Sequence, residues 1–482
     1  MLPVISPQQM RDAEHRAFDK GVPSILLMEN AARKLTEALV GMLGAATDKR
    51  VAFFCGQGNN GGDGLAVARL FHQLGGKPYI CLLGTPSTPD AQSNLSYAQA
   101  LGISFVDDPS QLHDLDGAVD ALFGIGLNRA PQGRGAELIE AINALQVPVL
   151  AVDVPSGFDA LSGDAHQPCV QASLTVSMQY PKLGHYLTQK PDLLGELSVC
   201  DIGLPDGCLV DSGLSTLEPQ DLASLLPRRS QAAHKGSNGR VLILAGSRGM
   251  AGAAAMAALG CLRAGAGLVT IACEGASLPV LQALVPGATC REIDGLFEPL
   301  PPHDVLLAGC GLAETEASWD CLTRLHDRDK PTVLDAGALN MLAQRGMTLG
   351  ANTLITPHMG EAARMLGMSV ADVLQDKLKA LSALQQRFGC AVLMKSHVSF
   401  ISDGQRSALN TVGSAALAKG GSGDALAGIV AGLMAQGQTS FEAARVGSLW
   451  LGKAGRLAQL RHGLHSALTM DVLDLLHEAV NC

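Results

Sequence analysis

Two glycine-rich segments and a few acidic loop residues carry most of the chemistry open to this chain. After the apolar run Val51–Cys55 comes GQGNNGGDG, Gly56 to Gly64, and then the helical pattern LAVARLFHQLG. A glycine-rich loop that feeds a helix N-terminus lets backbone amides approach a phosphate, and the helix dipole favours the negative charge. Gly56, Gly58 and Gly61 satisfy G-x-G-x-x-G, so an ordinary NAD-binding Rossmann domain is one reading. That fingerprint wants an acidic residue ending the second strand, about twenty residues on, where this chain reads YICLLG and then TPSTPD. A tight turn whose glycines serve packing alone is another reading. Two further segments, DALFGIGLNR (Asp120 to Arg129) and DVPSG (Asp153 to Gly157), each put an aspartate at a strand's C-terminal end. In an open parallel sheet that edge is where ligands bind. Asn60, Asp120 and Ser156 would there offer an amide oxygen, a carboxylate and a hydroxyl, hard ligands suited to an alkali or alkaline-earth cation. Singly, each is an ordinary turn or cap residue.

The second half begins its chemistry at His234 with HKGSNGRVLILAGSRGMAGAAAMAA, a glycine-rich turn, a strand and another glycine-rich loop into a helix. It lacks G-x-x-x-x-G-K-[ST] and is not a P-loop. In GGSGDALAGIV (Gly420 to Val430) small residues open a helix and Asp424 sits in its first turn. Backbone amides there can stabilise the charge developing on a phosphoryl group, while Asp424 accepts the proton of a hydroxyl attacking that group. The plainer reading is a glycine-rich helix start whose aspartate suits the dipole.

The elements that must position these residues follow one rhythm. A short apolar run ends in glycine or a small polar residue, and a longer helical pattern follows, which signals β-α units and a parallel sheet. Strands are expected at Val51–Cys55, Tyr79–Leu83, Ala118–Phe123, Val149–Val154 and Leu174–Met178, with helices such as Leu65–Leu74 and Ala136–Leu145 between them. The second half predicts strands at Val241–Ala245, Leu268–Ala272, Val305–Ala308, Thr332–Leu334, Thr353–Thr356 and Ala391–Met394. Between the two, from Leu204 to Gly239, the turn formers PDG, DSG, PRRS and KGSNG break the periodicity. The expected domains are 1–218 and 219–482. A chain of 482 residues is enough for two or three domains with their own cores at roughly 150 residues each.

Bulk properties exclude several function classes. Lys and Arg number 35 against 45 Asp and Glu, a formal charge of −10, and no basic run interrupts that balance, so a nucleic-acid partner is not expected. Apolar stretches such as Val241–Ala245 and Ala251–Leu259 are too short to cross a bilayer, so no membrane partner is expected either. The start turns charged within a dozen residues and does not read as a secretory signal. Twelve cysteines scattered singly from Cys55 to Cys482, without C-x-x-C or zinc spacing, read as thiols of a reducing cytoplasm.

LMENA (Leu27 to Ala31), CGQGNNGGDG, DALFGIG, DVPSG and PKLG (Pro181 to Gly184), in this order, resemble the NAD(P)H-hydrate epimerases over roughly residues 5 to 205. The resemblance implies a three-layer αβα, Rossmann-like fold. It implies hydrated NAD(P)H bound by Asn59, Asn60, Gly61, Gly62 and Asp63, by Gly124, Ile125, Gly126, Leu127, Asn128, Arg129 and Ala130, and by Asp153, with K+ held by Asn60, Asp120 and Ser156. Asp153 is the residue expected to move the proton during reversible loss of the substrate hydroxyl. From about 232 to 478, HKG, LAGS, GCGL (Gly309 to Leu312), LDAGALN (Leu334 to Asn340), TPHMGEAARML (Thr356 to Leu366), MKS (Met394 to Ser396) and GGSGD resemble the NAD(P)H-hydrate dehydratases, of ribokinase-like αβα fold. This implies substrate contacts at Ala253, Gly311, His358 and Asp424, nucleotide contacts at Lys395, Ser396, His397, Val398, Ser399 and Gly423, and Mg2+ entering with ADP or ATP.

The chain departs from that family's pattern in three places. It has Ser396 and His397 after Lys395 where a glycine-rich stretch is usual, Gly337 where D-A-D-A-L is usual, and GSAALAK (Gly413 to Lys419) where G-N-P-G-M-A-T is usual. These bear on nucleotide affinity or donor preference rather than on fold. The expected protein is a bifunctional, cytoplasmic, homo-oligomeric repair enzyme that acts on NADHX and NADPHX with an adenine nucleotide. A ribokinase-like small-molecule kinase and a non-catalytic nucleotide-binding protein are the alternatives.

Overall fold

A computed structural model describes residues 2–209, 212–326 and 330–481. Val210 and Asp211 of the expected linker, and Cys482, lie outside the described residues. The chain divides into two compact units, one of Pro3–Ser212 and one of Gly213–Cys482 with the first two residues.

The N-terminal unit is a seven-stranded parallel sheet in the spatial order Ser104–Phe105, Lys77–Leu82, Arg50–Cys55, Gly117–Ala121, Val149–Val152, Leu174–Met178, Glu196–Cys200. Successive side chains of a strand point to opposite faces. Val51, Phe53 and Cys55 accordingly join a core with Leu35, Leu39 and Leu65, while Ala52 and Phe54 join another with Leu138, Ile139 and Ile142. Both faces are thus covered, by helices Ser24–Leu43 and Asn59–Gln73 on one side and Arg134–Ala144 on the other. That is the three-layer, Rossmann-like arrangement expected from the apolar runs. The first strand of the βα series, Arg50–Cys55, is third in the sheet, between Lys77–Leu82 and Gly117–Ala121, so the order in which strands are added reverses there. Loops leaving the carboxyl ends of these two strands frame a crevice.

The C-terminal unit is an eleven-stranded sheet. Seven strands, from Arg240–Leu244 to Ala391–Met394, run parallel, and Ser399–Ser402 and Ser407–Asn410 add antiparallel hairpin partners. Leu214–Thr216 pairs beside Ser407–Asn410 and so belongs to this sheet, although it precedes the expected boundary at 218. Here too the first long strand, Arg240–Leu244, sits inside the sheet, between Leu268–Cys273 and Val305–Ala308. Helices Ala251–Ala264 and Ser422–Ala435 pack against each other over it. A side chain at Gly428 would meet the Ala257 carbonyl oxygen at 2.0 Å, so the small residues let the two backbones touch. This close approach holds the glycine-rich start of Ser422–Ala435 beside the loop leading into Ala251. No helix among the described residues is long and apolar enough to cross a membrane.

Candidate active sites

In the N-terminal unit the glycines of the first loop are required by close approach. A side chain on Gly56 would lie 2.0 Å from the Leu122 carbonyl oxygen, and one on Gly61 would lie 1.9 Å from that of Gly56. The loop is therefore pressed onto the end of the neighbouring strand, and helix Asn59–Gln73 starts at the crevice. A cavity of about 760 Å³ opens there. Asn59, Asn60, Asp63, Gly124, Ile125, Gly126, Leu127, Asn128, Arg129 and Asp153 all line it. Three residues of the expected substrate set do not. Gly61 is packed on Gly56, a side chain on Gly62 would strike Met28 and Ala91, and Ala130 is exposed beyond the cavity rim.

Asp153 ends strand Val149–Val152 with a left-handed backbone, φ 67°, a conformation asparagine and aspartate tolerate better than most residues. Its Oδ1 accepts from Lys182 Nζ at 2.5 Å, from the Met178 amide at 3.0 Å and from the Ser177 hydroxyl at 3.2 Å. Lys182 is fully buried, and its Nζ also donates to Ser177 Oγ and to the Met178 carbonyl. A buried ammonium persists only with such partners. Behind it, His185 Nδ1 accepts from the Lys182 amide and Nε2 lies 3.2 Å from the Asp153 carbonyl. Burial first, then the Lys182 charge, lower His185 to about 4, so the ring is neutral near pH 7, with its proton on Nε2 donated to Asp153. Two more carboxyls share the cavity. Burial and the Asp153 charge raise both Glu14 and Asp63, Asp63 well above the usual carboxylate range.

Asp120 and Ser156 lie below the cavity floor, both fully buried. Ser156 Oγ donates to Asp120 Oδ1 at 2.6 Å, the Ser156 amide to Oδ2 at 2.7 Å, and the Phe123 amide to Ser156 Oγ at 2.9 Å. Burial pushes the Asp120 carboxyl up to about 6 against these hydrogen bonds. Asn60 reaches the same loop from the other side: its Oδ1 lies 2.9 Å from where a side chain on Gly124 would begin, and its buried Nδ2 has no hydrogen-bond partner among the described residues.

In the C-terminal unit, Gly311 and Ala253 are neighbours, since a side chain on Gly311 would lie 3.0 Å from Ala253 Cβ. The Lys395 amide donates to the Pro357 carbonyl, placing His358 beside Lys395. The His358 ring caps helix Met359–Leu366: Nδ1 accepts from the Gly360 and Glu361 amides, and the Glu361 carboxylate accepts from the His358 amide in return. This is a capping box with histidine in the usual serine position, so one ring nitrogen is committed locally. Lys395 Nζ donates to Asp335 Oδ1 at 2.6 Å, as does Thr356 Oγ1 at 2.9 Å. Gly423 leaves room for that pair, because a side chain there would begin 3.3 Å from Lys395 Nζ. Asp424, Asp335 and Cys310 form one cluster, their carboxylate and Sγ atoms within 4.8 Å of one another. Burial, then the Asp335 charge, raise Asp424 to about 6. Of the remaining expected nucleotide contacts, Ser396 and His397 bond each other in the turn before strand Ser399–Ser402, and Val398 is buried, which leaves only its backbone for a ligand. A separate cavity of about 240 Å³, bordered by Ser247, Glu274, Glu292 and Asp294, contains none of the expected residues.

Sequence reasoning quoted PKLG, LDAGALN and GCGL without singling out Lys182, Asp335 or Cys310 as site residues. Helix Pro7–Asp19, which brings Met10, Glu14 and Phe18 to the cavity, was not foreseen; its signal is the Ser6-Pro7-x-Gln9 capping box.

A family model described as NAD(P)H-hydrate dehydratase matches residues 241–478, and one described as YjeF-related protein N-terminus matches 24–184. The chain is 37% identical to the bifunctional NAD(P)H-hydrate repair enzyme Nnr of Moorella thermoacetica, over 94% of this chain and 92% of that one. The ADP/ATP-dependent NAD(P)H-hydrate dehydratase of Bacillus subtilis, co-crystallized with ATP and Mg2+, is 29% identical with TM-score 0.51, covering 55% of this chain and 96% of that chain. A ribokinase-like superfamily protein of Enterococcus faecalis is 25% identical with TM-score 0.51, over 57% and 97%.

Proposed function

Because the chain belongs to the bifunctional NAD(P)H-hydrate repair enzymes, we propose that it returns both epimers of NADHX and NADPHX to the reduced cofactor, with the epimerase at the 760 Å³ cavity of the first unit and the dehydratase around Asp424 of the second. The assignment of domains 1–218 and 219–482 to these activities, with the boundary moved to Ser212, rests on where the two clusters lie.

In the first site the substrate carbon carries a hydroxyl beside a ring nitrogen. Protonation of the hydroxyl lets the nitrogen lone pair expel water, and water returning to either face of the iminium interconverts the epimers. Asp153 suits this proton traffic: its three donors all reach Oδ1, which leaves Oδ2 for the substrate. Glu14 and Asp63, held above the usual carboxylate range, are fitted to supply the proton. The glycine-rich start at Asn59, Asn60 and Asp63 would take a phosphate of the dinucleotide, and Gly124 to Arg129 would close over it; Gly61 and Gly62 act through packing. The K+ reading is supported by an all-oxygen donor set of one negative charge, the Asp120 carboxylate, the Ser156 hydroxyl and the Asn60 side-chain carbonyl. Bound there, K+ would neutralise Asp120 and stiffen the loop under the substrate.

In the second site the S-epimer hydroxyl attacks the terminal phosphorus of ADP or ATP while Asp424 takes its proton. The bond to the leaving nucleotide breaks, giving AMP or ADP. The ring nitrogen then expels phosphate, and loss of a proton from the adjacent carbon restores the dihydropyridine. Ala253, Gly311 and His358 are proposed to face the substrate, and Lys395 to Ser399 with Gly423 the nucleotide. Mg2+ would enter with the nucleotide and offset the phosphate charge during transfer. A cytoplasmic location accords with eleven described cysteines, all free thiols, and a homo-oligomer with the exposed Leu460 and Leu468.

The single observation that carries this reading is the pair of buried Asp335 and half-buried Lys395 set against Asp424 at a glycine-rich helix start. Purified protein given hydrated NADH and ADP or ATP should restore the dihydropyridine absorbance. No recovery with either nucleotide, or phosphorylation of an unrelated alcohol instead, would refute it.

A further inference from the structure

The cluster around Asp424 contains a group that the reaction as written does not use. Cys310 is fully buried on the loop after strand Val305–Ala308, between Gly309 (φ 119°) and Gly311 (φ 62°). The loop lies directly on Asp335, because a side chain at Gly309 would meet the Asp335 carbonyl oxygen at 1.8 Å. The Gly246 amide holds the Cys310 carbonyl at 3.2 Å. The backbone that carries Cys310 is thus held on both sides, and Sγ lies within 4.8 Å of a carboxylate oxygen of Asp335 and of one of Asp424.

Two carboxylates and one ammonium meet here. The ammonium of Lys395 is committed to Asp335, whose Oδ1 also takes the Thr356 hydroxyl. Cys310 is the one protonatable thiol of the cluster, its Sγ within 4.8 Å of an Asp424 carboxylate oxygen. Burial and the two negative neighbours keep its thiol protonated, raised well above the usual range, and a protonated thiol beside a carboxylate is a donor. The same three groups would suit a soft divalent cation, but the Lys395 ammonium against Asp335 opposes one.

We propose that Cys310 is a positioning residue of the dehydratase, its S–H donating to the Asp424 carboxylate and aiming the free oxygen at the substrate hydroxyl. The inference rests on Asp424 being the base. A thiol suits the task chemically. As a weak donor it orients the carboxylate while withdrawing little of its basicity, whereas a cation in its place would depress it strongly.

The test is the pH dependence of dehydratase turnover in the full chain for wild type, Cys310→Ala, Cys310→Ser and Asp424→Asn, with melting curves for each. The charges facing Asp424, namely Asp335 and Lys395, are the same in every Cys310 variant. Removing the donor in Cys310→Ala destabilises the charged carboxylate, so the acid limb should move to higher pH and kcat fall about tenfold with nucleotide KM little changed. The stronger hydroxyl donor in Cys310→Ser should keep kcat within about threefold and move the limb to lower pH. Should the alanine variant fail to fold, the direction of the serine shift decides alone. Unmoved acid limbs, or a serine variant as impaired as alanine, overturn the role of the thiol while Asp424→Asn stays inactive. Near-normal turnover in Asp424→Asn overturns instead the reading of Asp424 as base.

Discussion

At the scale of single residues, Asp120 is a fully buried carboxyl held by hydrogen bonds to Ser156 and Leu122. A carboxyl whose folded pKa is raised to about 6 weakens the fold above that pH, where it is ionised without a counter-charge, and the cost fades as pH falls below it. A bound cation offsets the cost in the same window. At pH well above 6, replacing choline with K+ should therefore raise the melting temperature, by about 1.4 kcal/mol of stability when K+ is ten times its Kd. Asp120→Asn should show no such K+ response; equal stabilisation of both proteins would remove the cation site from the scheme. The Asp120–Ser156 pairing was legible in the sequence because Asp120 closes one strand and Ser156 sits on the loop leaving its neighbour, at one sheet edge where β-α topology brings them together. Lys182 and Asp335 were not. Lys182 acquires its role from a partner 29 residues away, and a lysine after proline reads as ordinary until that partner is known; Asp335 follows a strand as Asp153 does, and its partner Lys395, 60 residues on, is what local pattern does not reveal. His358 illustrates the reverse case, since its frame suggested a ligand contact while the ring also caps its own helix.

At the scale of elements, the glycine-rich starts do different work. Gly61 and Gly56 are fixed by backbone contact, whereas Gly423 has space that the Lys395–Asp335 pair borders at 3.3 and 3.8 Å. Gly423→Val puts a β-branched side chain into that space and blocks backbone approach to phosphates. Nucleotide affinity should fall at least about tenfold, a loss of about 1.4 kcal/mol, with the melting temperature little altered; titration calorimetry with ADP and ATP checks it, and unchanged affinity would place the nucleotide elsewhere. Strands flanked by long helices were foreseen because apolar runs buried on both faces are unmistakable. The two-residue Ser104–Phe105, the edge strand Glu196–Cys200 with its exposed and half-exposed residues, and the four-residue hairpin strands Ser399–Ser402 and Ser407–Asn410, whose two central apolar residues are flanked by polar ones, carry no such run. Their pairing comes from the sheet already in place rather than from local pattern.

At the scale of the whole molecule, the two sites occupy separate compact units, each with its own sheet and core. Hydration of the ring produces two epimers, and a dehydratase shaped for one strands the other unless an epimerase works beside it. Turn formers accumulate around the expected boundary near 218, whereas the compact units divide at Ser212 and Gly213, because Leu214–Thr216 joins the second sheet beside Ser407–Asn410, a pairing that no local signal announces. Separate sites make the two activities separable by substitution. The most direct measurement is the yield of dihydropyridine from an epimer mixture of hydrated NADH with excess ADP or ATP, for wild type, Asp153→Asn and Asp424→Asn. Asp153→Asn removes the proposed epimerase proton acceptor and donor, so recovery should stop at the S fraction apart from slow spontaneous epimerisation. Asp424→Asn should slow all recovery by about 100-fold or more. Wild type should consume both epimers. Complete, wild-type-rate recovery by Asp153→Asn, or loss of S-epimer dehydration in that variant while it remains folded, would contradict the assignment of two activities to two sites.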